Sequence, residues 1–351
     1  MRMKIIQQAI ALFFMFFALN GYAQMMERLA TSEGPLRKDT ILNLGEGMQR
    51  SYLPISVLKG KKEGPVFSVI AGIHGYEYPP IVALQELLKE IDINRLKGTL
   101  IVVPIANVEA FYNRTLFVNP LDGKNLNNAF PGTTSGTITE QLAHCISTEI
   151  IDHTDFFLDL HGGDASEDLL PFVCYYDRKD TPEKTAQAKE LSEKSGFDYV
   201  VSYPYTIGAT EPAKYAFKRA TQKGITALSI EAGKLGTAQP ENVAAIKKAV
   251  YNMLIQLGMY ERKIKPVSSH KTPVYLNNQT YVKVPRKGIF YSEFKSGDKV
   301  TKGQILGYIT DEFGNKLTEI LAPTSGIILY KVGTPPVNKD ETLFCIGDSG
   351  G

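Results

Sequence analysis

The chain has 351 residues, of which 43% are hydrophobic and 22% are charged, and its formal net charge is +2. This composition is typical of a globular protein with a sizeable core, and the length allows two domains. A charge so close to neutral gives no indication of nucleic-acid binding.

The first 23 residues are predicted to be a cleavable signal peptide. Arg2 and Lys4 give a basic start, residues 9–19 form an apolar run too short to span a bilayer, and GYA, ending at Ala23, is typical of a cleavage site. Cleavage near Ala23 would remove two positive charges and change the formal net charge from +2 to 0. We therefore expect an exported protein, periplasmic or secreted, with no stable membrane insertion after cleavage. An uncleaved membrane anchor is the alternative.

Strands and helices are predicted to alternate after a polar, turn-rich lead-in over residues 24–64. Short apolar runs rich in β-branched residues predict strands, and apolar residues at helical spacing predict helices. This alternation predicts an α/β domain over 65–262 with a largely parallel or mixed sheet. The predicted strands are 65–72, 98–105, 155–160 and 225–231, and the predicted helices are 79–91, 139–152, 181–196, 211–224 and 240–259.

The sequence pattern changes after a polar linker at residues 263–273. No long helical pattern follows, and short β-type runs such as QILGYIT and SGIILYKV are separated by turn signals. A small all-β domain is therefore predicted over 270–349.

Three cysteines, Cys145, Cys174 and Cys345, are odd in number and widely spaced. They form no C-x-x-C pattern of the kind that binds zinc or cycles between redox states. Export would permit one disulfide, but the spacing favours buried free thiols.

Polar residues follow four of the predicted strands. His74 and His161 each come just after a strand and beside glycine, Glu231 ends a third strand, and Asn107 follows a fourth. In open α/β sheets, ligands bind beyond the carboxyl ends of the strands. We therefore expect these four side chains to converge at one edge of the sheet.

His74, Glu77 and His161 have the composition of a metal-ligand set. Catalytic zinc typically takes three ligands of this kind and leaves a fourth position for water. Glu231 is then free to act as general base, and Asp159 could accept the N–H of a liganding imidazole. A single His after a strand is more often an ordinary hydrogen-bonded loop residue. Two such His with a strand-terminal Glu favour a metal site with one Zn²⁺ per chain.

Four segments together resemble a known family. GIHGYE, DGKNLNNAFPG, DLHGGD and SIEAG occur in the order seen in the succinylglutamate desuccinylase/aspartoacylase family, a branch of the zinc carboxypeptidase clan. The resemblance implies a carboxypeptidase-like α/β/α domain, then a lipoyl-like (barrel-sandwich) β domain that is structural or shapes the mouth of the site. It also implies a zinc hydrolase of linear amides, commonly of N-acyl amino acids, with ligands His74, Glu77 and His161 and catalytic base Glu231.

The chain departs from the family pattern at Asn128. Members usually read NLNR where this chain reads NLNN, and that Arg normally grips the substrate's carboxylate with a charged, bidentate fork that Asn lacks. A lost charged hydrogen bond is worth about 1.5–3 kcal/mol, which puts carboxylate recognition in doubt. We expect Asn127 and Asn128 to contact substrate. Arg114 is a further candidate, with a solvated loop Arg as the alternative.

The leading prediction is an exported, zinc-dependent hydrolase that cleaves a linear amide in a small N-acyl amino acid or short peptide. One alternative is a zinc carboxypeptidase acting on peptides or peptidoglycan fragments. Another is a catalytically silent periplasmic binding protein on the same fold. The sequence does not indicate the oligomeric state.

Overall fold

A mixed sheet of nine strands runs through the larger part of the protein. The computed structural model describes residues 34–261 and 272–348, so the predicted signal peptide and nearly all of the predicted linker lie outside the described residues. The strands of this sheet follow the order β1-β2-β4-β3-β5-β9-β7-β8-β10. They are β1 (Leu36–Leu44), β2 (Ser51–Lys59), β3 (Lys62–Ala71), β4 (Lys97–Val103), β5 (Phe156–His161), β7 (Phe172–Asp177), β8 (Tyr199–Pro204), β9 (Thr226–Glu231) and β10 (Val274–Tyr275).

Helices cover both faces of this sheet, as predicted for an α/β/α domain. The helices α1, α4 and α6 pack on one face and α3 and α5 on the other, each against buried aliphatic side chains of the central strands. The sheet is mixed because β4, β3, β5 and β9 are parallel, whereas β2 runs antiparallel to β4 and β7 runs antiparallel to β9. The helices are α1 (Tyr78–Glu90), α2 (Val108–Asn113), α3 (Ile138–Cys145), α4 (Pro182–Lys194), α5 (Ala216–Gln222) and α6 (Pro240–Gln256).

Two strands lie within the segment that was predicted to be an irregular lead-in. The β1–β2 hairpin extends the sheet through antiparallel pairing of β2 with β4. All 9 positions of β1 are exposed or half-buried, so its apolar pattern is weak, which explains why the sequence alone did not reveal it. The strands β7 and β8 were also not predicted.

Two predicted helices are shorter than expected. The helix predicted over 139–152 ends as a regular helix at Cys145 and continues as a wider turn over Ile146–Ile150 and a tight turn over Ile151–His153. There the hydroxyl of Ser147 donates to the carbonyl of Ala143 over 2.8 Å, a side-chain bond that competes with the helical pattern. The helix predicted over 211–224 begins only at Ala216, because Lys214 has a left-handed backbone with φ 70°.

The C-terminal region is all-β, as predicted. One sheet has the order β11-β18-β16-β13, with the short strand β6 paired to β16, and the other has the order β15-β14-β12-β17. Its lipoyl-like character stays a prediction. The strands are β6 (Glu167–Leu169), β11 (Asn278–Lys283), β12 (Gly288–Tyr291), β13 (Lys299–Val300), β14 (Ile305–Thr310), β15 (Lys316–Leu321), β16 (Gly326–Val332), β17 (Pro336–Val337) and β18 (Thr342–Asp348).

Each of the two regions contributes one strand to a sheet of the other. Strand β6, from the α/β part of the chain, pairs antiparallel with β16 of the C-terminal region, and β10 from the C-terminal part pairs parallel with β8 at the edge of the large sheet. The C-terminal region is therefore fixed against the α/β domain at two points. All three cysteines are buried free thiols, and no helix of the described residues is long and apolar enough to cross a membrane.

Candidate functional site

The first predicted site segment leaves the sheet through a tight, glycine-dependent turn. Strand β3 ends at Ala71, and Gly72 follows with φ 70°, a backbone conformation that glycine adopts without strain. A Cβ on Gly75 would lie only 2.3 Å from the carbonyl oxygen of Ala110. The turn brings His74 back over the sheet edge and places Glu77 immediately before α1.

The other two segments reach the same edge. His161 is the last residue of β5 and Glu231 the last of β9, and the two residues are directly paired in the parallel register. Strand β3 lies on the other side of β5. The carboxyl ends of three adjacent parallel strands therefore deliver His74, Glu77, His161 and Glu231 to one place.

One carboxylate bridges the two imidazoles. His74 Nδ1 lies 2.6 Å from Glu77 Oε1, and His161 Nδ1 lies 2.9 Å from Glu77 Oε2. One potential ligand atom from each residue lies within 4.8 Å of the other two, and the three side chains are only 8%, 3% and 4% exposed. Burial alone would raise the pKa of Glu77, but the facing imidazoles hold it at about 2. These three residues are brought together as the sequence predicted.

The outer nitrogen of each imidazole has its own oxygen partner. His161 Nε2 lies 3.2 Å from Asp159 Oδ1, an electrostatic contact rather than a well-aligned hydrogen bond, and Asp159 is fully buried. His74 Nε2 lies 3.2 Å from Asn125 Oδ1. Asp159 was predicted for this position, whereas Asn125 was missed although it belongs to the NLNN segment. Because Asn125 Oδ1 also accepts the backbone N–H of Asn127, the orientation of its amide is fixed.

Glu231 lies beside His74, Glu77 and His161, and its pKa is raised above that of an ordinary carboxyl group. Burial raises its pKa to about 7, and the neighbouring carboxylates of Glu77 and Asp159 act in the same direction while His161 opposes them. A carboxyl group with a pKa near neutrality can both accept and donate a proton at working pH.

These residues line a cavity of about 360 Å³. We call His74, Glu77, His161 and Glu231 the cavity floor. The opposite side, which we call the cavity roof, comes entirely from the C-terminal region and consists of Gln279, Tyr281, Leu329, Tyr330, Thr342 and Cys345. Sequence reasoning expected this region to be structural or to shape the mouth of the site, but it did not identify the six residues.

The three predicted substrate-binding residues are not all at the cavity. Asn127 lines it, and its Oδ1 is buried without a hydrogen-bond donor among the described residues. Asn128 is exposed and is not among the lining residues, and Arg114 is exposed at the end of α2 with φ 52°. A role for Asn128 and Arg114 in substrate binding stays a prediction. Asn107 is fully buried and caps α2, so it supports the fold rather than facing the cavity.

A further acidic pair lies beside the floor and was not predicted. Glu167 lines the cavity, and its Oε2 accepts the backbone N–H of Asp164 over 3.1 Å. Burial and the adjacent Asp164 raise the pKa of Glu167 to about 8. The next residue, Asp168, accepts hydrogen bonds from the backbone and hydroxyl of Ser296 over 3.0 and 2.8 Å. These bonds connect the segment that contains Glu167 to the C-terminal region.

The chain is similar to proteins of known family along most of its length. The profile of the succinylglutamate desuccinylase/aspartoacylase catalytic domain matches residues 63–257. An N-alpha-acetyl-L-2,4-diaminobutyric acid deacetylase from Halomonas elongata is 30% identical over 305 residues, which cover 84% of this chain and 85% of that protein.

Solved structures share the fold. A succinylglutamate desuccinylase/aspartoacylase from Rhodobacter sphaeroides has a TM-score of 0.79 at 24% identity, covering 92% of this chain and 98% of that chain. The product-bound ectoine utilization protein EutE (DoeB) from Ruegeria pomeroyi has a TM-score of 0.80 at 23% identity, covering 91% and 96%. Both matches extend across the α/β domain and the C-terminal β region.

Proposed function

This chain belongs to the succinylglutamate desuccinylase/aspartoacylase family, and from that premise we propose that it is a zinc-dependent hydrolase that removes the acyl group from a small N-acyl amino acid. The observation that carries this proposal is the cavity floor: two imidazoles and a carboxylate converge with a second, near-neutral carboxyl group beside them. The deacetylase from Halomonas elongata supports the choice of an N-acyl amino acid as substrate.

The donor set fits a divalent metal ion. If the Nε2 atoms of His74 and His161 are protonated and face Asn125 and Asp159, both Nδ1 atoms are unprotonated. Each Nδ1 is then a hydrogen-bond acceptor that faces an oxygen of Glu77, which is also an acceptor. Such an arrangement requires a proton or a cation between the groups. Two imidazole nitrogens and one carboxylate oxygen are the ligands that catalytic zinc takes. When bound there, zinc would polarise the scissile carbonyl and favour deprotonation of water.

Glu231 is the group that transfers the proton. Its carboxylate accepts the proton of the attacking water and then donates it to the leaving amine, which needs a pKa between those of an ordinary carboxyl group and an amine. The pKa of about 7 that burial gives Glu231 suits both steps. Asn125 and Asp159 orient the two imidazoles from behind, a role that partners of metal-ligating His usually have.

The cavity roof supports a small substrate. A volume of about 360 Å³ lies at the lower end of the range for small-molecule sites, and the C-terminal region closes it on the side opposite the floor. No Lys or Arg is among the residues that line the described cavity, so this lining favours neither alternative by a cationic partner for the substrate's carboxylate. We favour a deacylase over the carboxypeptidase alternative because the matched relative from Halomonas elongata is a deacetylase. The convergence of all four floor residues supports an enzyme rather than a silent binding protein.

We also propose that residues 1–23 direct export and are removed near Ala23, as the basic start and apolar run of the sequence suggest. Expression of the full chain in a bacterial host tests this. The protein recovered outside the cytoplasm should begin at Gln24 by intact-mass measurement, and an unprocessed cytoplasmic protein would contradict export.

Metal analysis and hydrolysis of N-acyl amino acids test the central proposal. The purified protein should hold one zinc per chain and release acetate from an N-acetyl amino acid. The Glu231→Gln variant should keep its zinc and its fold while kcat falls by about 10²–10⁴. A protein that binds no zinc, or a Glu231→Gln variant with full activity, would refute the proposal. A protein that binds the substrate without consuming it would support the silent binding protein.

A further inference from the structure

We propose that Leu116, Phe117 and Val118 form an apolar rim at the mouth of the cavity, and that this rim selects substrates whose acyl group is an aliphatic chain longer than acetyl. This inference rests on the proposed amide hydrolysis and names the acyl class within it. It also assigns a role to a segment that the proposed chemistry does not use.

The apolar rim is an exposed run of hydrophobic residues that is continuous with the cavity. Leu116, Phe117 and Val118 are 38%, 37% and 37% exposed. A single exposed hydrophobic residue is common in folded proteins, whereas a contiguous exposed apolar patch often marks a binding groove. Phe117 is itself one of the residues that line the cavity. A ligand bound in the cavity can therefore extend onto the rim without leaving the protein surface.

Phe117 contacts one end of the cavity floor. Its ring meets the imidazole of His74 edge to face, with the ring centroids 5.5 Å apart and the ring planes at 88°. The rim therefore begins directly beside a residue that would hold the metal ion.

The order of the strands places the rim on the acyl side of the substrate. Strands β3, β5 and β9 are neighbours in that order, so His74 lies at one end of the floor and Glu231 at the other. Because Glu231 donates the proton to the leaving amine in the proposed chemistry, the amino acid lies at the Glu231 end. The acyl group lies on the other side of the scissile carbonyl carbon and then points toward His74 and Phe117.

The rim is held in place before any ligand binds. The backbone N–H of Thr115 donates to the carbonyl of Ala110 over 3.0 Å, and the hydroxyl of Thr115 donates to the carbonyl of Val118 over 2.5 Å. Next to Val118, the side-chain amide of Asn119 donates to Oδ1 of the buried Asn107 over 3.1 Å. Such preorganisation reduces the entropy lost on binding.

An aliphatic chain suits the rim better than a charged acyl group does. Each methylene group that leaves water for an apolar surface favours binding, and the rim presents aliphatic and aromatic carbon atoms for this contact. The carboxylate of a succinyl group would gain nothing from these contacts. It would also find no Lys or Arg among the residues that line the described cavity. We therefore expect the preferred acyl group to be uncharged and longer than acetyl.

Three derivatives of one amino acid test this inference: Nα-acetyl-, Nα-hexanoyl- and Nα-succinyl-L-2,4-diaminobutyrate. The amino acid is the one in the name of the Halomonas elongata deacetylase, so only the acyl group varies. We expect kcat/KM of the zinc-loaded wild type to be about tenfold to a hundredfold higher for the hexanoyl than for the acetyl substrate, because the additional methylene groups are partly buried. The succinyl substrate should be no better than the acetyl one. Calorimetric titration with the products hexanoate and acetate does not depend on turnover, and hexanoate should bind more tightly.

Two substitutions of Phe117 locate the effect. The side chain is partly exposed, so neither substitution should unfold the protein. Phe117→Ser should reduce the ratio of kcat/KM between the hexanoyl and acetyl substrates to about threefold or less, whereas Phe117→Leu, which stays apolar, should retain most of it. Phe313 is 90% exposed and is not among the lining residues. Phe313→Ser is therefore the matched control and should leave the ratio unchanged.

Several results would overturn the selectivity. One is equal or faster hydrolysis of the acetyl or succinyl substrate by wild type. Another is a Phe117→Ser variant that loses activity toward the acetyl and hexanoyl substrates equally, because Phe117 would then only support His74. A third is a wild-type dimer in sedimentation that Phe117→Ser dissociates with an unchanged acyl ratio, because the rim would then be a contact between two copies of the chain.

Failure of the proposed function would look different. If the zinc-loaded protein hydrolyses none of the three substrates, the proposed hydrolysis fails for this amino acid. The binding of hexanoate relative to acetate, in wild type and in Phe117→Ser, then decides the selectivity alone, and equal binding of the two products by wild type would overturn it.

Discussion

The floor and the roof of the cavity differ in what their residues can do. The floor contains every group with a role in the proposed chemistry, and it comes from the ends of three adjacent strands, β3, β5 and β9. None of the roof residues belongs to the metal-ligand cluster found among the described residues, and all six lie on β11, β16 and β18. The comparison leads us to expect that the chemistry depends on the floor and that the fit of the substrate depends on the roof. Changes to the floor should therefore act on metal binding and kcat, and changes to the roof on KM.

The largest expected effect concerns Asn125, which contacts the floor residue His74. Removing Asn125, whose Oδ1 lies 3.2 Å from His74 Nε2, leaves that imidazole without its orienting partner. We expect Asn125→Ala to weaken zinc affinity by about 10–100-fold, with much of kcat recovered at saturating zinc. Competition with a zinc chelator measures this. The exposed neighbour provides the control variant Asn128→Ala, and equal zinc affinity in both variants would show that Asn125 does not position the ligand.

A second prediction concerns pH and the metal-free floor. Burial raises the pKa of Glu231 to about 7 and that of Glu167 to about 8. Asp159 and Glu77 raise the pKa of His161 well above its ordinary value against the effect of its burial. Each of these groups binds protons more tightly in the folded state, so its stabilisation is lost as pH rises. Glu77, with a pKa of about 2, is ionised throughout and does not change this trend.

The metal-free protein should therefore become less stable as the pH rises from 5 to 8, and its Tm should fall by about 5 °C. Zinc binding displaces the proton of the ligand His161, so the gap in Tm between zinc-loaded and metal-free protein should widen over this range. Differential scanning calorimetry measures both. A metal-free protein that is more stable at pH 8 than at pH 5 would contradict this account of the floor, and Glu167→Gln should flatten the slope.

A third prediction tests the junction between floor and roof. Asp168 accepts two hydrogen bonds from Ser296 and lies 3.2 Å from Lys234 Nζ. The substitution Asp168→Asn removes the charge and should lower the free energy of unfolding by about 1–2 kcal/mol. Because the roof is then held less firmly, KM should rise about threefold to tenfold while kcat stays within about twofold.

Denaturant unfolding and steady-state kinetics check this expectation. The exposed Asp198 offers the matched control Asp198→Asn, which should change neither quantity. If Asp168→Asn lowers kcat and leaves KM unchanged, the junction acts on the chemistry, and the separation of floor and roof is wrong.

The smallest expected effect concerns the position where the family pattern is broken. Asn128 is exposed and adjacent to the lining residue Asn127. The substitution Asn128→Arg adds a guanidinium near the mouth of the cavity, and we expect KM for N-acetyl-L-aspartate to fall by about threefold, as for a partly screened charge pair. An unchanged KM for this acidic substrate would show that position 128 does not contribute to carboxylate binding.

The floor could be predicted from the sequence because His161 and Glu231 end strands with a clear apolar pattern, and His74 and Glu77 closely follow another. Parallel strands place their carboxyl ends together, so His74, His161 and Glu231 needed no tertiary information. Asn125 ends no strand, and the only sequence signal for it is that it lies in the NLNN segment of the family resemblance. The edge strand β1 was missed because none of its positions is buried.

The roof could not be predicted, for a physical reason. Tyr281, Tyr330 and Cys345 lie on three different strands of the C-terminal sheet, and nothing in their local sequence indicates that this sheet covers the site. That contact depends on the pairing of the three-residue strand β6 with β16. A strand of that length gives almost no periodic signal. Glu167 was overlooked for the same reason.

A zinc titration of the metal-stripped protein tests the central claim most directly. Acetate release from Nα-acetyl-L-2,4-diaminobutyrate is measured as zinc is added, for wild type and for His161→Ala. We predict that wild-type activity rises linearly and breaks at one zinc per chain, while the variant, which retains its fold but lacks one ligand, remains inactive at the same zinc concentration. Full hydrolysis by stripped wild-type protein, or equal activity of the His161→Ala variant, would contradict the account.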